Sequence, residues 1–238
     1  MFSERGTFVQ NIVVMATSDK NSSRIRFAAF SLILSGICFT LFPAVRPFFD
    51  ESSPQAAVWF GSNRWVFAHS LGMSGFILFV LGLLGVYMSL RQTSADRGAD
   101  WALVLSWIGA GLTLPFFGAE ALALQVIGRA AISQNNPGLL PLVNSVRFGV
   151  GLLFIGSGLV LIALAAVVLA FAVWNSEILP RWSAVLIAIG FAVYAPLLRG
   201  APGFQAMRIA DGVLILVGCT WLAWGMVKCD QNRQLGPN

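Results

Sequence analysis

The chain has 238 residues, of which 57% are apolar and only 11% are charged, and its mean hydropathy is +0.79. Soluble globular domains carry about 25% charged residues, so this composition excludes a soluble domain or a disordered chain and predicts an integral membrane protein. The net charge of +5 comes from basic residues scattered at the ends of apolar segments, with no run of five or more. That pattern is typical of membrane-flanking charges and excludes a nucleic-acid partner.

Charges and turn-forming residues divide the chain into six apolar segments, each long enough to cross about 30 Å of hydrocarbon at 1.5 Å per residue. The predicted spans are 27–45, 65–90, 101–128, 148–174, 182–198 and 204–227. The runs are continuous rather than alternating, which favours helices over transmembrane strands. We therefore predict an all-α, polytopic transmembrane helix bundle over 27–227, with a flexible cytoplasmic segment at 1–26 and a short cytoplasmic tail at 228–238.

The apolar piece Phe8 to Met15 precedes the first span and is too short to cross a membrane. No small-residue cleavage pattern follows a long hydrophobic region here, so the sequence does not predict a signal peptide. Met15 is an alternative start to Met1.

The distribution of Lys and Arg predicts the orientation of the bundle. With the N-terminus inside, nine basic residues lie on the inner side and six on the outer side, and inner sides of membranes are enriched in Lys and Arg. The nine are Arg5, Lys20, Arg24, Arg26, Arg91, Arg97, Arg181, Lys228 and Arg233, and the six are Arg46, Arg64, Arg129, Arg147, Arg199 and Arg208. We expect an integral protein of a bacterial plasma membrane with both termini in the cytoplasm.

The fourth span repeats small residues every seven positions. One line is Gly149, Gly156, Ala163 and Ala170, and the next is Gly151, Gly158, Ala165 and Ala172. Apolar side chains gain little by leaving lipid for one another, so close approach over small residues is what holds membrane helices together. The repeat predicts a packing face and a central place for this helix, with Leu159 facing lipid.

Four ionisable residues lie inside predicted spans, where charges are costly and usually functional: His69, Glu120, Arg208 and Asp211. At 1.5 Å per residue, His69, Glu120 and Asp211 lie about 7, 12 and 10 Å below the outer ends of their spans. Their shared depth predicts one polar cluster in the outer half of the bundle, joined by Arg147.

Arg64, Arg147 and Arg208 each begin a predicted helix that runs inward, although a cation at a helix N-terminus opposes the helix dipole. An anion should offset that cost. The candidates are Glu120 and Asp211, a lipid phosphate, or an anionic ligand held by the guanidinium groups and the helix N-termini. Asp211, three residues beyond Arg208, is placed to pair with it locally.

The roles of the cluster residues stay open between chemistry and structure. Glu120, unpaired among apolar neighbours, would favour its protonated form and act as a general acid, whereas paired with Arg147 or Arg208 it would be structural. His69 would be a ligand, a proton relay or a hydrogen-bonded interior residue. A metal site is not predicted, because one histidine and three cysteines without metal-ligand spacing do not supply one.

No phosphate-binding loop, HExxH or GxSxG motif is present, so the sequence predicts no cofactor and no soluble-enzyme chemistry. Three functions remain. The first is binding or moving an anionic or amphipathic small molecule or lipid, as a transporter, sensor or accessory subunit. The second is a membrane-embedded enzyme that uses Glu120 and Asp211 for acid catalysis on an isoprenoid-like substrate, in a pocket lined by Trp107, Phe116 and Phe117. The third is a structural or assembly subunit.

Overall fold

In a computed structural model of the protein, residues 2–198 and 202–235 are described, with side chains for 21–198 and 203–235. These residues form α-helices joined by turns, with no strand among them. The helices are α1 (Phe2–Val45), α2 (Ala56–Phe60), α3 (Asn63–Leu90), α4 (Asp96–Ser133), α5 (Leu142–Arg147), α6 (Val150–Ser176), α7 (Arg181–Leu198) and α8 (Gln205–Leu235).

The predicted all-α membrane bundle is confirmed. Six helices in the described part of the chain are long and apolar enough to cross a membrane: Asn21–Val45, Asn63–Leu90, Asp96–Ser133, Val150–Ser176, Arg181–Leu198 and Gln205–Leu235. Three of them, Asn21–Val45, Asp96–Ser133 and Gln205–Leu235, extend at least five residues beyond the predicted spans, because polar residues continue the helices past the apolar cores. The side chains of residues 1–20 lie outside the described part, so the flexible N-terminal segment stays a prediction.

The six long helices form a ring in which each packs against two neighbours. The order is α1, α3, α4, α6, α7, α8 and back to α1. Large side chains fill the centre, where the ring of Phe39 meets those of Phe76, Phe191 and Tyr194 edge-on at 4.9, 5.3 and 5.6 Å between centroids. The interior is therefore an aromatic core rather than an open pore.

The two ends of the bundle differ in how they are closed. We call one the long-loop end, because the connections 46–62 and 134–149 lie there, and the other the terminal end, where the chain's C-terminus lies. At the terminal end Ser22 donates to Asp230, and the Arg233 guanidinium donates to the Ser89 carbonyl at 2.9 Å. These contacts join α1 and α3 to the last turns of α8.

The small-residue face of α6 exists, but it is narrower than predicted. Gly158 is buried against α4, where an added Cβ would lie 2.8 Å from the Gly109 carbonyl oxygen, while a Cβ at Gly156 would meet nothing within 4 Å. Leu159 is 7% exposed and packs in the core, so its predicted lipid-facing position is wrong. The central place predicted for α6 is also wrong, since every long helix occupies the ring and α6 contacts only α4 and α7 extensively.

Candidate functional site

Glu120 on α4 is the centre of a buried polar cluster at the long-loop end. Its side chain is only 5% exposed, and both carboxylate oxygens accept hydrogen bonds from the guanidinium of Arg147. Arg147 Nε lies 2.5 Å from Oε1 and its terminal nitrogen 2.9 Å from Oε2. This paired geometry is the strongest form of an arginine–carboxylate contact.

His69 and Trp65 on α3 complete the inner side of the cluster. The His69 Nδ1 lies 2.8 Å from the Trp65 carbonyl oxygen and donates to it, because a carbonyl can only accept. That leaves Nε2 facing the Glu120 carboxylate at 3.6 Å. The Trp65 indole nitrogen donates to the main-chain oxygen of Glu120 at 2.7 Å, so α3 and α4 are linked twice at this level.

Arg46 and Glu51, from the connection after α1, close the outer side. The Glu51 carboxylate lies between two arginines: it accepts from Arg147 and lies 3.7 Å from an Arg46 nitrogen. The Arg46 guanidinium stacks over the rings of Phe48 and Trp65 at 4.6 and 4.8 Å. Burial lowers the pKa of Arg46 to about 10, an effect that Glu120 and Glu51 oppose and that Arg147 and Arg208 increase.

Arg147 occupies a different position from the one predicted. It is the last residue of α5, and the chain then turns through Gly149, with φ at +73°, before α6 begins at Val150. Arg147 therefore does not oppose a helix dipole at the start of the fourth span. Burial by itself would lower its pKa, but the bonds to Glu120 and Glu51 outweigh burial and raise it.

Arg208 lies beside the cluster rather than in it. It is in the first turn of α8, as predicted, and its guanidinium lies 4.0 Å from the Phe48 ring centroid, against the same ring as Arg46. Its Nε donates to the Leu197 carbonyl at 2.7 Å. The two long-range contacts connect α8 to the end of α7 and to the connection after α1.

Asp211 does not pair with Arg208 in the way the sequence predicted. Its Oδ1 is directed toward α7, where an added Cβ at Gly190 would lie 3.5 Å away, and it accepts no hydrogen bond from the described residues. The predicted five-residue cluster is therefore divided. His69, Glu120 and Arg147 meet, Arg208 lies alongside them through Phe48, and Asp211 faces another part of the bundle.

The sequence missed three members of the cluster: Arg46, Glu51 and Trp65. Arg46 and Glu51 lie in a connection that turn signals assigned to a loop, and Trp65 was read only as the start of a span. An aromatic residue four positions before an intramembrane histidine would have been a usable signal, since i and i+4 share a helix face.

Two of the residues predicted to line the pocket of the enzyme hypothesis have different surroundings. Trp107, predicted to line it, is 66% exposed on the outer surface of α4, while Phe117 packs against the His69 ring at 5.8 Å. A cavity of about 170 Å³ lies instead at the terminal end, lined by Asn21, Ile25, Met88, Asp230, Arg233 and Gln234.

Comparisons of the chain with protein-family models, with curated proteins and with solved structures found no match. The function must therefore be inferred from the residues themselves.

Proposed function

We propose that this multi-pass membrane protein binds an anionic or amphipathic molecule, with the chemistry of a lipid phosphate, at the long-loop end of its bundle. The binding groups are the guanidinium forks of Arg46, Arg147 and Arg208, which come from three separate parts of the chain. Binding there would serve a transporter, a sensor or an accessory subunit.

The position of Glu51 carries the proposal. Its carboxylate belongs to a connection, is 39% exposed, and bridges two arginines that are only 13% and 15% exposed. This placement supports the proposal, because a carboxylate at this end of the bundle lies between two guanidinium groups. A lipid phosphate offers equivalent anionic oxygens, and arginine forks bind carboxylates and phosphates with the same geometry.

The surroundings suit an amphipathic rather than a purely polar ligand. Arg46 and Arg208 both lie against the ring of Phe48, and Phe49 stacks with Trp59 at 6.2 Å between centroids. Trp59 and Val58 of the short helix α2 are exposed. Tryptophans and arginines at one level are typical of the region where a bilayer meets water, so a lipid headgroup and its chains would find matching surfaces here.

Lipid retention tests this function directly. The protein would be reconstituted in phosphatidylcholine with and without phosphatidylglycerol, and the lipid that co-purifies would be counted by native mass spectrometry. We expect preferential retention of the anionic lipid, reduced about tenfold or more by Arg46→Gln, because a charge-assisted hydrogen bond contributes about 1.5 to 3 kcal/mol.

Arg129→Gln is the matched control, since Arg129 lies at the same end and, in the described part of the chain, its guanidinium donates to Gly61 and Asn63 rather than to the cluster. Equal retention in the two variants would refute the site. Added inorganic phosphate distinguishes the source of the anion: competition by phosphate alone would indicate a free anion rather than a lipid.

A structural role is the second candidate, and the completeness of the Glu120 pairing favours it. Both oxygens of Glu120 are bonded to Arg147, and Trp65 and His69 fix the adjoining helices, so the cluster would lock α3, α4 and α5 together. Normal lipid composition around Arg46→Gln, together with loss of the fold in Glu120→Gln, would favour this role. The acid-catalysis hypothesis is less well supported, because both Glu120 oxygens already accept hydrogen bonds from Arg147 and Asp211 lies apart from them.

We also propose that both termini lie in the cytoplasm of a bacterial cell, on the basis of the nine-to-six distribution of Lys and Arg. An even number of spans places the N-terminus and the C-terminus on the same side of the membrane. Fusions of the C-terminus to a reporter that is active only outside the cytoplasm should be inactive. An active fusion would reverse the orientation and place the arginine site at the cytoplasmic face.

A further inference from the structure

A second polar site lies between α7 and α8, away from the Glu120 cluster. Asp211 and Tyr194 are 6% and 5% exposed, so both are more than nine-tenths buried. The Asp211 Oδ1 and the Tyr194 hydroxyl have no hydrogen-bond partner among the described residues. Buried polar oxygens without partners are rare, because each one costs free energy, and inside a membrane no bulk water compensates.

The two oxygens share one interior space. Asp211 Oδ1 is directed toward Gly190, and Tyr194 lies one turn beyond Gly190 on the same face of α7. Asp211 also lies close enough to Tyr194 to interact with it electrostatically. Gly190 lets α7 and α8 approach closely here, since an added Cβ would lie 2.4 Å from Ile215 Cγ1 and in van der Waals contact with Asp211 Oδ1 at 3.5 Å.

The residues around Asp211 and Tyr194 are largely apolar. Gly212 brings α8 against α1, where an added Cβ would lie 2.6 Å from Thr40 Cα. The rings of Phe39, Phe76 and Phe191 surround Tyr194 at 5.6, 6.1 and 6.3 Å. α1 and α3 therefore face the site with aromatic side chains.

The charged groups around this space are arginines at its long-loop side. Arg208 lies on Asp211's own helix and directs Nε to the Leu197 carbonyl. Arg46 interacts electrostatically with Tyr194. No ion pair among the described residues includes Asp211.

We propose that Asp211 is a proton-binding site, whose carboxyl group carries an exchangeable proton within the membrane beside the Tyr194 hydroxyl. The carboxylate takes a proton from hydronium and leaves water, so charge and atoms balance without another reactant. Protonation removes a charge that has no cation at hydrogen-bond distance among the described residues, and gives Oδ1 or Oδ2 a hydrogen to donate toward Tyr194. Intramembrane carboxyls of this kind are typical of proton relays.

A metal ion is the less suitable occupant. The described residues hold no group of three His, Cys, Asp or Glu side chains that could bind one. A hard cation takes six or more oxygen ligands, whereas this space offers a carboxyl and a phenol between helices whose carbonyls are already bonded. A proton needs one carboxyl oxygen alone. The proposal is independent of anion binding at Arg46 and would stand if that site were refuted.

Infrared spectroscopy of the purified full-length protein tests the proposal. At neutral pH the wild type should show the C=O stretching band of a protonated carboxylic acid, shifted to lower frequency in D₂O as the proton exchanges. Asp211→Asn should remove the band. Tyr194→Phe should move its frequency without abolishing it, because the neighbouring hydroxyl is lost.

Glu120→Gln is the matched control, because it removes the other buried carboxyl, which is bonded by an arginine; the band should remain. Should that variant fail to fold, Glu51→Gln gives the same comparison. A wild type without the band, or a band that survives Asp211→Asn, would overturn the proposal. So would a band that shows no shift after prolonged exposure to D₂O, which would mean a fixed rather than an exchangeable proton.

Discussion

Glu120 and Asp211 are the two buried carboxyl residues of the described chain, exposed by 4% and 6%, yet their neighbourhoods are opposite in kind. Glu120 receives a guanidinium fork, with a histidine nitrogen 3.6 Å away. Asp211 faces a glycine, a phenol and aromatic rings. Burial is thus nearly equal, and the difference lies in the partners that the neighbouring elements bring. An intramembrane carboxyl can belong to an ion pair that stabilises helix packing, or to a site that takes up a ligand. Its depth in the membrane does not distinguish the two.

Removing each carboxyl separately should give the largest contrast. Glu120→Gln leaves the buried charge of Arg147 with fewer partners, and breaking a buried pair costs about 3 to 5 kcal/mol. Asp211→Asn replaces a carboxyl group that we propose to be protonated with a neutral group of the same size, so at most about one neutral hydrogen bond is lost, which contributes about 0.5 to 1.5 kcal/mol. Reversible unfolding in detergent by a chemical denaturant measures both. Similar losses in the two variants would mean that Asp211 is paired in the folded protein.

Removing both partners of the Glu120 pair should restore stability. The double variant Glu120→Gln with Arg147→Gln leaves no unpaired buried charge, so we expect more than half of the loss seen in Glu120→Gln to be recovered. The same unfolding measurement, run as a double-mutant cycle, gives the coupling energy of the pair. A loss equal to the sum of the single variants would show that the two side chains act independently, contrary to the contacts between them.

The packing of α6 against α4, the helix that carries Glu120, can be tested without changing any charged residue. Gly158→Leu places a large side chain against Gly109 and Thr113 of α4 and should cost about 1 to 3 kcal/mol or more, as overpacking does. Gly156→Leu is the control, because nothing lies within 4 Å of an added Cβ there. Thermal unfolding of the two variants compares them. Equal losses would mean that α6 presents both lines of small residues to its neighbours.

The smallest effect is expected at Glu51. Its side chain is 39% exposed, and partly exposed ion pairs contribute about 0 to 1 kcal/mol. Glu51→Gln should therefore leave the unfolding midpoint nearly unchanged while increasing retention of anionic lipid, because the internal carboxylate no longer competes for Arg46 and Arg147. A large loss of stability would mean that Glu51, like Glu120, stabilises the helix packing. That result would weaken the proposal that a ligand can take the place of the Glu51 carboxylate.

Counting residues along the spans brought His69 and Glu120 together correctly, but it did not separate Asp211 from them. His69 and Glu120 were predicted to lie at one level, and their side chains are 3.6 Å apart. The same arithmetic placed Asp211 at that level, but it faces Gly190 and Tyr194 instead. Rise per residue is fixed, so depth follows from counting, whereas the direction in which a helix turns its side chains depends on its neighbours.

Several residues of the polar cluster lie in the connections between spans, where counting residues along a span does not place them. Arg46 and Glu51 lie outside the apolar segments, and Arg147 ends a short helix that hydropathy alone does not predict. Turns formed by Pro47, Pro54 and Gly149 decide where these side chains go. Their paths depend on long-range packing, as in the contact of Phe49 with Phe60 and Trp65 at 5.2 and 6.0 Å.

The sequence by itself determined the class of protein, the number of spans and the level of the polar residues, because water and lipid act on each segment separately and a helix has a fixed rise. Only the tertiary structure decided which buried carboxyl is paired. Pairing requires that Arg147 and Glu120, 27 residues apart, reach each other within hydrogen-bond distance. That contact depends on how α4, α5 and α3 are rotated in the ring, and rotation is set by packing between helices rather than by any local property of the chain.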